Sequence, residues 1–495
     1  MRVLLVNPPP RMRVDQFDTP DFGRVGLAYL AAMLRRDPDF QVRVVDARLE
    51  RLRNDEVLAR AQEFAPDVVG LTAFTNEVRA AARVARGIKR ATPEVVTVLG
   101  GSHVSALPEA TLEEFPEFDV GVVGEGEHTL DALVRALAQR APLGAIPGLV
   151  FRHGGRPHLT APRDNEADLD RFPQPAWDLL PPSRRALLVT QRGCPYACTF
   201  CQNPGGRLVR QHSVERVLAD IAWLTAHHGT EELLVCDEIF TVDAPRTEAL
   251  LDAMIAAGVG RRVRWWAQTH VNTASRRLFE KMRAAGCYRV GLGIETGDAD
   301  AMRAMHKGIS RARVVAARRM ASEAGLPVEG LFILGHPNET WRSALRTIEF
   351  AVELDPEIPV FSTMVPYPGT RVAEMAERGE GGYRLLSRDW DHYINQVGHS
   401  LAFEHLSRRQ MELLQLYGYL TVFAANGRWS DLARFAWTYR SEGIAVVHKV
   451  LSGAMPAPAE PPERDEPPYE REALYFEGEE ARPGRPGRVS LPVVG

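Results

Sequence analysis

The hydrophobic residues of the first 145 positions fall into short continuous runs, separated by stretches with helical spacing. Runs such as "RVLLVNPP", "DVVGLTAF" and "EVVTVLGG" have no polar face, as expected of strands that are buried on both sides of a parallel sheet. Between them, segments such as "VGLAYLAAMLRR" and "HTLDALVRALAQ" repeat apolar residues every three or four positions. This alternation predicts an α/β fold, with a doubly wound, Rossmann-like domain over residues 1–145.

A second alternation of strands and helices occupies residues 186–370. Six strand-like runs occur there, at "ALLVTQ", "ELLVCD", "RVRWWAQ", "YRVGLG", "VEGLFILG" and "VFSTMV". Six βα units predict a partial (βα)6 TIM-type barrel, whose active face is the rim at the carboxyl ends of the strands. Residues 146–185 are rich in proline and predict a connector that begins with a hairpin at "GLVFRHGGRPH".

The pattern changes again after the barrel. Residues 371–454 predict a mainly helical segment, and residues 455–495 are so rich in Pro, Glu and Gly that we expect a disordered tail. The stretch "RDWDHYINQV" just after the barrel fits either a substrate contact or an amphipathic packing element. No apolar run is long enough to span a bilayer, and "MRVLLVNPPP" is typical of a first strand and not of a signal peptide. A cytoplasmic location is therefore expected.

Composition narrows the possible partners. The chain has 495 residues, of which 45% are hydrophobic and 25% charged, as in ordinary globular proteins. Its net charge of -4 leaves no basic footprint, so nucleic acid is not an expected partner.

Three of the five cysteines lie within eight positions, in "RGCPYACTFC". A structural zinc site usually takes four ligands in two distant pairs, and a thioredoxin-type site needs only two cysteines, so both fit poorly. Three thiolates suit an iron-sulfur cluster better. On a [4Fe-4S] cluster they leave one iron open, which can bind a small molecule and transfer an electron to it. The candidate ligands are Cys194, Cys198 and Cys201.

The stretch "RGCPYACTFCQNP" resembles the signature of the radical S-adenosylmethionine (SAM) family, C-x3-C-x2-C with an aromatic residue before the last cysteine. The resemblance implies that the three cysteines are the catalytic, metal-binding residues. It also implies that the open iron binds SAM, whose cleavage yields a 5′-deoxyadenosyl radical. Phe200 is then expected to cover the cluster or a ring.

The resemblance extends along the barrel. Asp237 and Glu238 in "VCDEIFT" are expected to orient SAM, although acids that stabilise a helix N-terminus explain them too. Glu295 in "VGLGIETGD" is the expected contact of the adenosyl group. "AMHKGI" and "FILGHPNET" are also typical of the family, and His336 and Asn338 in the latter fit either an active-site contact or a structural role.

The strand ends of the first domain are rich in Gly, Asn, Ser and Thr, which allow close approach of a ligand. No G-x-G-x-x-G follows the first strand, so a dinucleotide is not expected. The stretches "LLVNPP", "FGRVGLAYLAAMLR", "VVTVLGGSHVSALPE" and "DVGVVGEGEHTLDAL" together resemble the cobalamin-binding domain that precedes some radical SAM barrels. The resemblance implies cobalamin contacts from Asn7, Thr72, Thr75, Gly100, Gly101, Ser102, His103, Gly124, Glu125 and Gly126.

One feature departs from the wider cobalamin fold. Cobalamin-dependent mutases carry D-x-H-x-x-G, whose histidine ligates cobalt from below, but residues 7–26 contain no histidine. The nearest histidine, His103, follows a later strand. By analogy with the family, a missing lower ligand suits a cobalt that cycles between cob(I)alamin and methylcobalamin.

Together, the two resemblances imply a cobalamin-dependent radical SAM C-methyltransferase. Such an enzyme methylates an unactivated carbon of a small-molecule or lipid substrate through a 5′-deoxyadenosyl radical and methylcobalamin. An external donor such as flavodoxin or ferredoxin supplies electrons. The alternatives are an oxidative cyclase or rearrangement enzyme with the same cofactors, and a cobalamin sensor or binding module. A pure binding module would not need the three-cysteine loop. A second iron-sulfur cluster is not expected, because no cysteine follows Cys287.

Overall fold

The computed structural model describes residues 1–9, 22–395, 400–438 and 440. The predicted tail at 455–495 lies outside these residues, as does the end of the predicted helical segment.

The first sheet has seven strands in the order β2-β1-β3-β4-β5-β6-β7. Its strands are β1 (Arg2–Asn7), β2 (Gln41–Asp46), β3 (Val68–Thr72), β4 (Val96–Gly100), β5 (Val120–Val122), β6 (Leu149–His153) and β7 (Arg156–Leu159). Its helices are α1 (Val25–Leu34), α2 (Asn54–Phe64), α3 (Val78–Ala91), α4 (Ser102–Ala106), α5 (Pro108–Glu114) and α6 (Gly126–Gln139). The first five strands are parallel, which confirms the Rossmann-like fold. The hairpin β6–β7 adds antiparallel strands next to β5, so this sheet continues past the expected boundary at residue 145.

The second sheet has six parallel strands in the order β15-β14-β13-β12-β11-β8, as expected of a partial barrel. Its strands are β8 (Arg185–Leu188), β11 (Glu232–Val235), β12 (Arg264–Thr269), β13 (Cys287–Glu295), β14 (Val328–Leu334) and β15 (Ile358–Thr363). Its helices are α7 (Val214–Trp223), α8 (Ala244–Ala256), α9 (Arg276–Ala284), α10 (Ala299–Ala304), α11 (Arg311–Glu323) and α12 (Trp341–Leu354). Two short antiparallel strands, β9 (Gln191–Arg192) and β10 (Arg210–Gln211), flank the cysteine loop.

The C-terminal segment covers the edge of this sheet that is formed by β15. It comprises α13 (Arg371–Arg378), β16 (Tyr383–Leu385), β17 (Leu401–Phe403), α14 (Arg408–Ala425) and α15 (Trp429–Thr438). Helix α14 lies against β15, where the hydroxyl of Tyr419 accepts a hydrogen bond from the backbone N–H of Phe361 (3.1 Å). A Cβ on Gly418 would lie 2.9 Å from the ring of Phe361, so glycine allows this close approach. The edge strand is thereby protected from pairing with another chain.

The two sheets are joined by a shared hydrophobic core. Val25, Ala28, Tyr29 and Met33 of α1 belong to the same buried cluster as residues of the barrel strands and helices. Because α1 covers the first sheet and also packs on the barrel, burial of apolar surface holds the two domains together. Among the described residues, no helix combines the length and apolar character needed to cross a membrane.

Candidate active site

The cysteine loop is shaped by a tight crossing at its first residue. Gly193 has a φ of +98°, and a Cβ there would lie 2.2 Å from the carbonyl oxygen of Leu208, so only glycine fits. The backbone N–H of Cys194 donates to the carbonyl of Gly206 (2.9 Å). The Nδ2 of Asn203 donates to the carbonyl of Cys194 (2.9 Å). The loop is therefore anchored on the turn that follows it, before β10.

Backbone groups contact cysteine thiols both outside and inside the loop. The thiol of Cys236, directly after β11, donates to the carbonyl of Leu234 (3.7 Å), and that of Cys287, in β13, donates to the carbonyl of Arg289 (3.0 Å). In the loop, burial raises the pKa values of Cys194 and Cys201, and the backbone N–H groups of Tyr196 and Asn203, which point at their sulfurs, oppose that rise. Hydrogen bonds of this direction favour the thiolate form that binds metals.

Desolvation disfavours the thiolate form of the loop cysteines. It raises the pKa of all three loop thiols, to about 11 for Cys198, while the ammonium of Lys307 opposes the rise. Within the described ranges, no three His, Cys, Asp or Glu side chains converge on a single metal ion. Such convergence is not needed, because cluster cysteines ligate different irons of a [4Fe-4S] cluster. The three thiols, the N–H groups that point at two of them and the nearby cation fit such a cluster.

The two acids after β11 support the base of the cysteine loop. Asp237 accepts hydrogen bonds from the backbone N–H and the hydroxyl of Thr190 (2.8 and 2.6 Å) and from the N–H of Gln191 (3.1 Å). Burial raises its pKa to about 6. Glu238 accepts from the N–H of Gly193 (3.1 Å). The structure thus brings both acids to the loop, where their carboxylates fix its backbone; contact with SAM remains a prediction.

Glu295 lies at the end of β13 with a φ of +67°, a conformation that costs a non-glycine residue energy. Its carboxylate is paired with the ammonium of Lys307, and both side chains are 8% exposed. Lys307 crosses directly over Gly293, where a Cβ would lie 2.2 Å from its Nζ. Sequence reasoning quoted "AMHKGI" but missed the role of its lysine. An isolated lysine in a rim loop of the barrel is the signal that could have revealed it.

Phe200, His336 and Asn338 lie in packed surroundings, and an active-site contact of His336 or Asn338 stays a prediction. Phe200 packs against the barrel core and against a small apolar cluster that contains Met364 and Tyr383. His336 is completely buried, and desolvation lowers its pKa. The N–H of Asn338 donates to the carbonyl of Gly381 (2.7 Å). Coverage of the cluster by Phe200 remains a prediction.

At the carboxyl edge of the first sheet, Asn7 is held in a polar network. Its Nδ2 donates to Asp46 (2.7 Å) and its Oδ1 accepts from Arg24 (3.3 Å), which also pairs with Glu77 (2.8 Å). Thr72 ends β3 next to this network and is half-buried. These contacts fix the edge on which cobalamin is expected to lie.

Two buried polar atoms at this edge have no hydrogen-bond partner in the described part of the chain, namely Oγ1 of Thr75 and Nδ1 of His103. They follow neighbouring strands, β3 and β4. At Gly124, with a φ of +80°, a Cβ would meet no atom within 4 Å, so the backbone there faces open space. Unpaired polar atoms beside exposed backbone fit a large polar ligand such as cobalamin. Gly100 and the half-buried Ser102 lie on the same edge.

The surroundings of His103 show where the C-terminal segment docks. The ring of Trp390 lies edge-on to His103, with 4.9 Å between the centroids, and its Nε1 donates to Glu114 (2.8 Å). Desolvation lowers the pKa of His103 to about 4, so its imidazole is neutral. Trp390 of "RDWDHYINQV" thus packs against the first domain, and a substrate contact of this stretch stays a prediction.

Three of the residues expected to touch cobalamin also have close protein neighbours, and their contact with cobalamin stays a prediction. A Cβ on Gly101 (φ +105°) would lie 2.5 Å from the carbonyl oxygen of Ala73, and one on Gly126 would lie 3.0 Å from Leu30. The Glu125 carboxylate binds Arg210 of the barrel (2.6 and 2.8 Å). The sequence gives no sign of this last pairing, because the partners are 85 residues apart.

Comparisons with known proteins agree with both halves of this arrangement. The family model described as "B12 binding domain" matches residues 18–134, and the model "Radical SAM superfamily" matches residues 188–351. The chain is 33% identical to an uncharacterized methyltransferase of Pyrococcus horikoshii over 86% of this chain and 92% of that protein. It is 28% identical to an anaerobic magnesium-protoporphyrin IX monomethyl ester cyclase of Cereibacter sphaeroides, over 70% of this chain and 58% of the cyclase.

A solved structure shows the same fold. The radical SAM methyltransferase TsrM of Kitasatospora setae superposes with a TM-score of 0.69 at 20% identity, over 86% of this chain and 88% of that one. The match thus spans both domains and part of the C-terminal segment. The cofactors of the family are a [4Fe-4S] cluster, SAM and cobalamin. The chain belongs to the cobalamin-dependent radical SAM methyltransferase family.

Proposed function

We propose that this protein methylates an unactivated carbon of a small-molecule substrate held between its two domains. The observation that supports the proposal is a contact between the loop that follows β5 and the residues that flank the cysteine loop. The loop after β5, with Glu125, contacts Arg192 and Arg210, which flank the cysteine loop after β8. When bound, the cluster and SAM supply a carbon-centred radical, and cobalamin supplies the methyl group.

The chain's own residues would hold the cluster, orient the cysteine loop and shield the radical from water. Cys194, Cys198 and Cys201 are the thiols that would hold the cluster, and Lys307 provides a positive charge near them. Asp237 and Glu238 fix the backbone before and at the start of the loop through hydrogen bonds to N–H groups. The shared core around α1 excludes water from one side of the interface, which protects a reactive radical.

The substrate is expected to enter beside β15. A cavity of about 260 Å³ lies there between the β16–β17 hairpin and the start of α14. Its lining combines apolar side chains with polar ones, among them Met364, Phe403, Met411, Arg384 and Gln415. Such a lining suits a substrate with an apolar body and a polar group. A lipid is one substrate that has an apolar body and a polar group.

Reductive cleavage of SAM consumes one electron, so we also infer an external donor such as flavodoxin or ferredoxin. Oxidative cyclisation is the alternative chemistry for the same cofactors. The relatives favour methyl transfer, because the chain is 33% identical to the Pyrococcus methyltransferase but only 28% identical to the Cereibacter cyclase and 24% to a cyclase of Synechocystis. We expect the protein to act in the cytoplasm, where thiols stay reduced.

The experiment needs no substrate. The protein is purified anaerobically, its cluster is rebuilt, hydroxocobalamin is supplied, and SAM with a deuterated methyl group is added with a strong reductant. Mass spectrometry then measures the label in the protein-bound corrinoid, with free hydroxocobalamin as background. Label well above background supports methyl transfer. Bound corrinoid that never gains label would favour the cyclase alternative.

A further inference from the structure

The domain interface has a charged centre directly beside the cysteine loop. Arg192 lies two residues before Cys194, and its side chain is 16% exposed. Its guanidinium donates to Glu127 (2.7 Å) and lies 3.4 Å from Glu125. Both acids belong to the first domain, at the start of α6. Burial disfavours the charge of Arg192, but these two carboxylates outweigh that effect and raise its pKa.

Aromatic rings hold the same guanidinium from its other sides. It lies 4.9 Å from the ring centroid of Tyr29 on α1 and 5.2 Å from that of Phe172 in the connector. Cation–π contacts of this kind gain strength when they are desolvated. Arg192 is therefore fixed by three residues of the first domain and one of the connector, all outside the barrel to which it belongs.

A second ion pair holds the other end of the loop. Arg210, at the start of β10, binds both carboxylate oxygens of Glu125 and the carbonyl of Gly205 (2.9 Å). Strands β9 and β10 pair with each other, with Arg210 opposite Arg192. The two arginines thus form the base of the cysteine loop, and both are anchored to the "GEGE" turn of the cobalamin-binding domain.

We propose that Glu125 and Glu127 are positioning residues, which set the cysteine loop in register with the edge of the cobalamin-binding sheet through Arg192 and Arg210. This inference rests on the proposed function. Its physical basis is that charge-assisted hydrogen bonds, single from Arg192 to Glu127 and bidentate from Arg210 to Glu125, hold the two domains at fixed positions. Reactions between two bound groups are sensitive to small misplacements. Loss of one pair is therefore expected to affect the step that needs both domains, and to spare the step that needs the barrel alone.

The test uses Glu127→Gln, which leaves Glu125 near Arg192, so the buried guanidinium keeps one counter-charge. Arg35→Gln is the matched control, because Arg35, directly after α1, pairs with Asp178 (2.7 Å) at exposed positions away from the loop. Two reactions are measured on protein with rebuilt cluster and bound cobalamin. The first is 5′-deoxyadenosine formation from SAM, and the second is methyl label gained by the bound corrinoid.

For Glu127→Gln we expect 5′-deoxyadenosine formation to persist and labelling of the corrinoid to fall about tenfold or more. Glu127→Asp should recover part of the labelling, and Arg35→Gln should change neither reaction. An equal loss of both reactions in Glu127→Gln, no loss of labelling, or the same selective loss in Arg35→Gln would overturn the proposal.

A second readout does not depend on the reaction. Amide hydrogen exchange of a peptide covering residues 189–203 is followed in cofactor-free protein. The proposal requires faster exchange of this peptide in Glu127→Gln than in wild type or Arg35→Gln, and unchanged exchange would refute it. If the wild type forms 5′-deoxyadenosine but never labels its corrinoid, the proposed function fails, and this exchange measurement still decides whether Glu127 positions the loop.

Discussion

The ammonium of Lys307 and the carboxylate of Glu295 form an ion pair inside the barrel rim, where both side chains are 8% exposed. The pair links the end of β13 to the segment that follows α10. That segment also touches the cysteine loop, because the N–H of Thr199 donates to the carbonyl of Met305 (3.1 Å). The pair therefore connects a strained backbone position, at Glu295, with the thiols.

Removing Lys307 tests this connection. Lys307→Met leaves the Glu295 carboxylate buried without its partner, which should lower the free energy of unfolding by about 3–5 kcal/mol. Adding Glu295→Gln should restore most of that loss. Because the ammonium opposes the desolvation of Cys198, Lys307→Met should also raise the pH at which Cys198 is alkylated in cluster-free protein. Wild-type stability of Lys307→Met with an unchanged alkylation profile would contradict this role.

The assignment of the cluster to the loop predicts that a loop cysteine is needed for SAM cleavage and that a cysteine outside the loop is not. Cys198→Ala should abolish 5′-deoxyadenosine formation from SAM, because three thiolates are needed to hold the cluster, and cobalamin binding should survive. The matched control is Cys236→Ala, because the thiol of Cys236, directly after β11, donates to the carbonyl of Leu234. This variant should keep its iron and its cleavage of SAM, as measured by iron content and by chromatography of 5′-deoxyadenosine. Reductive cleavage in Cys198→Ala would show that the cluster is held elsewhere.

The glycine pair after β4 allows a test of backbone packing at the cobalamin edge. An alanine at Gly101 would place its Cβ 2.5 Å from the carbonyl oxygen of Ala73, whereas one at Gly100 would lie 3.9 Å from its nearest neighbour. Gly101→Ala should therefore lower the free energy of unfolding by about 1–3 kcal/mol and weaken cobalamin binding. Gly100→Ala should cost less. Denaturation curves and cobalamin titrations of both variants check this, and equal losses would contradict it.

The domain interface should weaken in mild acid. His212 donates from Nδ1 to Asp170 (2.8 Å) and accepts from the hydroxyl of Tyr29 (3.0 Å), and desolvation lowers its pKa to about 4. The unfolded chain therefore takes up a proton between pH 6.5 and 4 that the folded chain does not. The resulting stability is complete above pH 6.5 and is lost as the pH falls through this window, by roughly 2 kcal/mol at pH 5.

Urea denaturation at pH 7.5 and pH 5 measures this loss. His212→Gln should reduce the difference between the two pH values by roughly 2 kcal/mol, because no group then titrates at that position, while His103 keeps its own contribution. His153→Gln, at an exposed position on β6, is the control and should leave the difference unchanged. An equally steep pH dependence in His212→Gln would show that other groups carry it.

Local patterns predicted most of the fold. Runs of Val, Leu and Ile gave the parallel strands of both sheets, and the spacing of three cysteines indicated the cluster site. The patterns could not reveal that "GLVFRHGGRPH" joins the first sheet, since pairing between β5 and β6 depends on tertiary packing. They also suggested a cofactor contact for Glu125, which stays a prediction. They could not reveal that Glu125 binds Arg210, because charge pairing across a domain interface leaves no local pattern.

The central claim is that the cysteine loop and the cobalamin-binding edge form one active site across the domain interface. The most direct measurement is electron paramagnetic resonance of protein that holds both a reduced cluster and cob(II)alamin. Protein with cobalamin alone, from Cys198→Ala, and protein with the cluster alone supply the reference spectra. The account predicts that the spectrum of the doubly loaded protein is broadened or split by magnetic interaction between the two centres. A spectrum equal to the sum of the two references would contradict it.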